Sequence, residues 1–185
     1  MSRLHATWQL WWVKVLAVWA LTRAIGTALF LWLSTIQGQS YWNPAHPGYF
    51  DLINIWDVEW YHRIYDYGFG DTPGYSTVLP TNPDGTVQQN AWAFMPLFPL
   101  VVRLVNLLTG LDFKFAAPLV STLASFGLAL VLYKVFRLKF SASVSLWAIF
   151  WFGVSVASTV LQTGYAESLG LLFQALALYW LMRRR

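Results

Sequence analysis

Long apolar segments constrain this 185-residue chain more than any other feature of its sequence. Residues 8–36 are almost continuously apolar, and 115–136, 143–161 and 166–182 form three further apolar stretches. A helix needs roughly 20 apolar residues, within a range of about 17–25, to cross the hydrocarbon core of a bilayer. We therefore predict an all-α multispan membrane protein with four spans, the first at 15–35 and the others in the three later stretches.

The amino-acid composition further restricts the class of protein. Charged residues make up 11% of the chain and aromatic residues 18%, which excludes both an ordinary soluble domain and a disordered chain. The chain has no cysteine, so it forms no disulfide and performs no thiolate chemistry. The formal net charge of +4 is compatible with nucleic-acid binding, but the distribution of the charges indicates membrane topology instead.

The positions of Lys and Arg predict which way the chain crosses the membrane. Residues 91–110 are apolar, but they contain Pro96 and Pro99, and Arg103 would be costly in hydrocarbon. If this segment lies on the surface, the side of both termini carries seven basic residues and the other side three. The seven are Arg3, Lys134, Arg137, Lys139, Arg183, Arg184 and Arg185, and the three are Arg63, Arg103 and Lys114. A fifth span would reverse this balance, so the positive-inside rule predicts that both termini are cytoplasmic.

An outer segment from 37 to 114 then follows the first span. It contains seven of the eight acidic residues, which argues against nucleic acid on that face. We predict two helices on the membrane surface, at 52–67 and 96–109, with a small hairpin at 75–90 between them. Asp51 is the expected N-cap of the first surface helix.

The predicted helix at 52–67 has two different faces. One face carries Asp57, Trp60, Tyr61, Ile64 and Tyr65, and it would lie against the membrane or the helix bundle. The other face carries Glu59, His62, Arg63 and Asp66, which are spaced for i,i+4 ion pairs on a surface. Asp57 has no basic residue three or four positions later, so two interpretations stay open. In the first, its negative charge stabilises the helix N-terminus, through the helix dipole or as an N-cap. In the second, it serves as a general base at the membrane interface.

Three ordered blocks of sequence resemble the GPI mannosyltransferase 2 (PIG-V type) family and its bacterial relatives. The first block is WDVEWYHRI over residues 56–64, followed by Gly-Phe at 68–69. The second is AFMPLFPL over 93–100 with Arg103 after it, and the third is YAESL over 165–169. Two features depart from the family pattern. Tyr65 stands where the family usually has alanine, and family members are generally longer, so we expect a fragment or a truncated member.

The resemblance implies a GT-C-like glycosyltransferase, formed as a single membrane domain over 1–185 with its catalytic loop in the outer segment. The implied activity is that of a mannosyltransferase or related hexosyltransferase. It would move a sugar, with inversion, from a polyprenyl- or dolichyl-phosphate donor to a hydroxyl of a glycan, lipid or protein. The implied location is the extracytoplasmic face of a bacterial cell membrane, or the lumenal face of the endoplasmic reticulum, with chemistry similar to GPI-anchor assembly. Asp57 takes the position of the family's catalytic aspartate.

The expected mechanism assigns roles to the outer residues. Asp57 accepts the proton of the acceptor hydroxyl, and the departing lipid phosphate needs cationic stabilisation. Glu167, at the outer end of the last span, is placed to hydrogen-bond sugar hydroxyls, although a charge at a helix N-terminus is its alternative role. The expected donor- and acceptor-binding residues are therefore Glu59, Trp60, Tyr61, Arg63, Arg103 and Glu167. Arg63 has the alternative role of an ion-pair partner, and Arg103 that of a snorkelling interfacial residue.

No structural metal or other cofactor is predicted, because Asp57 and Glu59 are two residues apart on a helix and point in different directions. A loosely bound divalent cation between the donor phosphate and a carboxylate stays open. Arg23, inside the first span, is either functional or snorkels to the interface. Two other classes compete with the enzyme: a non-catalytic membrane scaffold or subunit, and a transporter component. The second is disfavoured because the later spans offer no acid near the bilayer midplane.

Overall fold

The computed structural model describes residues 2–71, 81–87 and 90–184 of the chain. Within these residues the protein is helical and contains no strand, which confirms the all-α prediction. The α-helices are α1 (Ser2–Ile36), α2 (Tyr49–Leu52), α3 (Asp57–Asp71), α4 (Leu97–Thr109), α5 (Phe113–Phe136), α6 (Ala142–Val154) and α7 (Glu167–Arg183). Two 3-10 helices, Ala91–Ala93 and Val156–Gln162, complete the described part.

Two of these helices are long and apolar enough to cross a membrane, namely Leu10–Ile36 within α1 and the whole of α5. A third candidate is α6 together with the 3-10 helix Val156–Gln162, but the chain bends by 82° between them. The described residues therefore offer two or three such helices, where four were predicted. The helix α7 has 17 residues and a length of about 26 Å, which is short of the roughly 30 Å hydrocarbon core.

A buried arginine holds the bend after α6. Arg23 of α1 is only 8% exposed. It donates from Nη1 to the carbonyl of Ser158 and from Nη2 to the carbonyl of Gly153, each at 2.8 Å. The hydroxyl of Ser158 also donates to the Gly153 carbonyl, at 2.6 Å. Carbonyls at a helix end need partners outside the helix, and Arg23 supplies them here. The snorkelling interpretation of Arg23 is therefore wrong.

Two apolar clusters lie at opposite ends of the bundle. The outer cluster joins α3, α4 and the start of α5 through Val58, Tyr61, Phe98, Val102 and Phe113. The inner cluster joins α1, the end of α5 and α6 through Val15, Ala129, Tyr133 and Ile149. Because the outer cluster also contains Tyr165, it ties the segment before α7 to the beginning of α3.

The predicted surface segments agree in part with the structure. The helix predicted at 96–109 is α4, which ends at Gly110 with a φ of 74°. Thr81 and Val87 form an isolated antiparallel bridge around a turn, as expected for the centre of the hairpin. The rest of that hairpin, at 75–80 and 88–89, lies outside the described residues.

Candidate functional site

The helix α3 begins at Asp57, and the predicted start at Asp51 is wrong. The short helix α2 ends at Leu52, and Trp56 then adopts a left-handed backbone with a φ of 57°. A residue in this conformation cannot continue a right-handed helix, so α3 starts afresh after it. Asp51 does not cap α3. Its carboxylate instead pairs with Nζ of Lys114 at 2.5 Å.

Part of the predicted apolar face of α3 packs into the bundle, which is one of the two placements left open for it, whereas Asp57 at its start is exposed. Tyr61 and Ile64 are buried. The ring of Tyr61 meets the rings of Phe94 and Phe98 edge-on, at centroid distances of 5.2 and 5.1 Å. Val58, which the predicted face omitted, is 3% exposed and belongs to the same contact.

The opposite face of α3 carries the two predicted ion pairs. Glu59 pairs with Arg63, and His62 lies 3.6 Å from Asp66, each in an i,i+4 arrangement. All four side chains retain substantial solvent exposure. Exposed pairs of this kind contribute about 0.3–0.5 kcal/mol each, so they stabilise the helix only slightly.

The segment Thr163–Ala166 brings Glu167 towards the start of α3. The hydroxyl of Ser121 in α5 donates to the backbone carbonyl of Tyr165 at 2.6 Å. The phenol of Tyr165 in turn donates to the carbonyl of Ile55 at 3.1 Å. These two hydrogen bonds fix Tyr165 between α5 and the residues that precede Asp57.

Gly164 allows this close approach. A Cβ atom at position 164 would lie 2.8 Å from Oδ1 of Asn54 and 3.2 Å from a methyl group of Val58. The amide of Asn54 is itself held, because its nitrogen donates to the carbonyls of Phe50 and Lys114. Any larger residue at 164 would therefore push Tyr165 and α7 away from α3.

The carboxylates of Asp57 and Glu167 are both near enough to Tyr165 to act on its phenol electrostatically. Burial raises the pKa of the Tyr165 phenol, and the negative charges of Asp57 and Glu167 raise it further. Asp57 and Glu167 are also close enough for their own charges to interact. Both are solvent-exposed, so a ligand can reach them. The sequence singled out each carboxylate, but nothing in it predicted that they are neighbours.

A cavity of about 330 Å³, here called the outer cavity, is lined by Trp56, which precedes Asp57, and by Tyr165. It is shared by the outer end of α1, the loop after it, and the segments around Trp56 and Tyr165. Phe30, Leu33, Trp42, Leu52 and Ile53 give it an apolar lining, and Asn43 and Thr163 add polar groups. No pattern in the sequence indicated Asn43, whose buried amide donates to the Asp51 carbonyl.

The other predicted binding residues lie along α3 and α4. The ring of Trp60 stacks on Phe94 at 5.8 Å, and the guanidinium of Arg63 lies 4.9 Å above the Trp60 ring. Arg63 is therefore engaged by both Trp60 and Glu59. Arg103 is exposed on α4 and forms no ion pair with any described acid.

The residues described contain no group of three or more His, Asp or Glu side chains that could hold a metal ion. The described residues thus form an all-helical protein, with two or three helices able to span a membrane and a largely apolar cavity lined by Trp56 and Tyr165. No family model, no curated protein and no solved structure matches this chain.

Proposed function

We propose that this protein is a membrane glycosyltransferase with a GT-C-like fold. It transfers mannose or a related hexose from a polyprenyl-phosphate donor to an acceptor hydroxyl, with inversion. The observation that carries the proposal is the hydrogen bond from Tyr165 to the carbonyl of Ile55, which holds the segments before Asp57 and Glu167 together at the outer cavity. Two accessible carboxylates near a concave aromatic surface suit the chemistry of sugar hydroxyls, and the three sequence blocks that resemble the PIG-V type family support the same assignment.

In the proposed reaction, Asp57 acts as the general base. Its carboxylate accepts the proton of the acceptor hydroxyl while that oxygen attacks the anomeric carbon of the donor sugar. The bond between the anomeric carbon and the lipid phosphate breaks, and the phosphate leaves with the electron pair. General-base assistance of this kind contributes about 10²–10⁴-fold to the rate. Because a phosphate is already a good leaving group, no general acid is needed.

Glu167 binds and orients the donor sugar through hydrogen bonds to its hydroxyls. Arg103 and Arg63 supply positive charge for the departing phosphate. Arg103 is the stronger candidate, since Arg63 is already engaged by Glu59 and Trp60. The outer cavity has a mainly apolar lining, which suits the first isoprenoid units of the donor.

The catalytic test compares two acidic residues of the same helix. Membranes that contain the full chain are incubated with labelled polyprenyl-phosphate mannose, and transfer to endogenous acceptors is measured. We expect Asp57→Asn to reduce the rate at least about 100-fold, because general-base catalysis is lost. Asp66→Asn is the matched control and should stay within about twofold, since Asp66 only pairs with exposed His62. Normal transfer by the Asp57→Asn variant would refute the assignment of Asp57 as the general base. If the parent chain shows no transfer but binds a partner protein, the alternative of a non-catalytic membrane scaffold is supported.

We also propose that the chain crosses the membrane an even number of times, so that both termini lie in the cytoplasm. The absence of cysteine makes this directly testable, because single cysteines can be introduced without background. In intact cells, a membrane-impermeant maleimide should label Asp84→Cys in the outer turn. It should label Lys139→Cys, between α5 and α6, only after permeabilisation. The opposite pattern would invert the topology and place Asp57 on the cytoplasmic side.

A further inference from the structure

A second cavity lies at the other end of the bundle from Asp57. This inner cavity has a volume of about 810 Å³ and is bounded by the beginnings of α1 and α6 and by the ends of α5 and α7. Three basic residues line it: Lys14, Lys134 and Arg137. The proposed glycosyl transfer uses none of them.

The three cations of the inner cavity have no carboxylate partner among the described residues. Every acid of the chain lies between 51 and 112 or at Glu167, in the outer part of the protein. The ammonium of Lys134 lies 5.4 Å from the ring of Trp11, and Arg137 donates to the carbonyl of Phe140. The described residues therefore leave an excess of positive charge at this cavity.

The remaining lining is apolar and aromatic. The ring of Trp11 stacks on that of Tyr133 at 5.4 Å with an interplanar angle of 7°. Leu10, Leu138 and Leu146 line the same cavity, and Leu10 is 59% exposed. A small free anion would leave this apolar lining uncovered. An amphiphile with an anionic head would contact the basic residues with its head and the apolar lining with its tail.

With α1 and α5 spanning a bilayer, as proposed above, the cavity lies where the hydrocarbon gives way to the headgroups. The apolar span of α1 begins at Leu10, and the span of α5 ends at Phe136. Lys14 and Lys134 are therefore within about one turn of the ends of two candidate spans. Phosphates of membrane lipids lie at this level, and basic pockets between membrane helices are known sites for anionic headgroups.

We infer that the inner cavity binds an anionic phospholipid. Its phosphodiester contacts Lys14, Lys134 and Arg137, and an acyl chain runs along Leu10 and Leu146. This binding rests on the membrane placement of α1 and α5 and is independent of glycosyl transfer. Lys14, Lys134 and Arg137 thus recognise an anionic headgroup, whereas the basic residues outside the cavity lining do not.

The test uses the full chain in zwitterionic detergent, titrated with phosphatidylglycerol and with phosphatidylcholine. Bound lipids are counted by native mass spectrometry. We expect the parent chain to bind phosphatidylglycerol more tightly than phosphatidylcholine. The double variant Lys14→Gln, Lys134→Gln should bind phosphatidylglycerol about 25-fold more weakly, because each cation contributes about fivefold to the affinity. The matched control combines Lys139→Gln with Arg184→Gln. It removes the same charge from the same end, outside the cavity lining, and should change binding less than about twofold.

Three outcomes would overturn the inference. Equal weakening by the control pair would show a general attraction of basic residues for anionic lipid. Equal binding of phosphatidylcholine would exclude recognition of the charge. Displacement of phosphatidylglycerol by an equal concentration of glycerol phosphate would show a site for a small free anion. Circular dichroism and size-exclusion profiles identical to those of the parent chain establish that each variant is folded.

Discussion

Replacing Gly153 by alanine tests how closely α1 and α6 pack. A Cβ atom at position 153 would lie 2.7, 2.8 and 2.9 Å from Oγ1, Cγ2 and Cβ of Thr22. Thr22 cannot move aside, because it is 3% exposed and its hydroxyl already donates to the carbonyl of Trp19 at 2.8 Å. The two helices must therefore separate by several tenths of an ångström. Overpacking of this kind costs about 1–3 kcal/mol.

Gly170→Ala is the matched control for this prediction. Gly170 lies in α7, and a Cβ atom there would meet nothing within 4 Å. The same substitution should therefore stabilise the protein by about 0.5–1 kcal/mol, because alanine favours a helix over glycine. Two chemically identical changes thus have opposite expected signs, and they differ by about 1.5–4 kcal/mol in all.

Thermal unfolding in detergent measures this difference, with a shift of about 2–4 °C in Tm for each kcal/mol in a chain of this size. Thr22→Ala should partly rescue Gly153→Ala, because it removes two of the three close atoms. A double-mutant cycle should give a coupling of about 0.5–3 kcal/mol between positions 22 and 153. An unchanged or raised Tm for Gly153→Ala alone would refute the packing argument.

Two further predictions concern Arg23 and Asp84. Arg23→Leu should speed hydrogen exchange in Val156–Gln162 at least about tenfold, because two hydrogen bonds from a charged donor, each contributing about 1.5–3 kcal/mol, are lost; unchanged exchange would contradict this role. The Thr86 hydroxyl and N–H both donate to Asp84 and lower the pKa of its carboxyl. Thr86→Val should raise that pKa, as measured by NMR, and an unshifted titration would contradict it. A lowered pKa means that Asp84 stabilises the turn above its unfolded pKa, and this contribution is lost as the pH falls through the lowered value.

Local signals in the sequence were enough to predict several elements. Pro96 and Gly110 lie at the two ends of an apolar stretch, and α4 occupies the residues between them. The spacing of Tyr61 and Ile64 indicated the buried face of α3, and the i,i+4 order of Glu59 and Arg63 indicated their ion pair. Each of these features depends on residues within one or two helical turns.

Features that depend on distant contacts could not be predicted in this way. The stretch 143–161 is continuously apolar, yet the chain bends within it, and Arg23 binds the carbonyl groups on both sides of the bend from 130 and 135 residues away. The neighbouring positions of Asp57 and Glu167 depend on Tyr165, which bonds the carbonyl of Ile55. Helical periodicity contains no information about such pairs, because tertiary packing alone brings them together.

The left-handed backbone of Trp56 has a consequence for how this protein tolerates heat. An aromatic residue at positive φ costs about 1–3 kcal/mol, and glycine would remove most of that cost. A search for thermostable variants would therefore be expected to select glycine at position 56. The same exchange would delete an indole that borders the outer cavity next to Asp57. Thermal stability and the proposed sugar transfer would thus place opposite demands on position 56, and heat-stable variants should be screened for loss of that transfer.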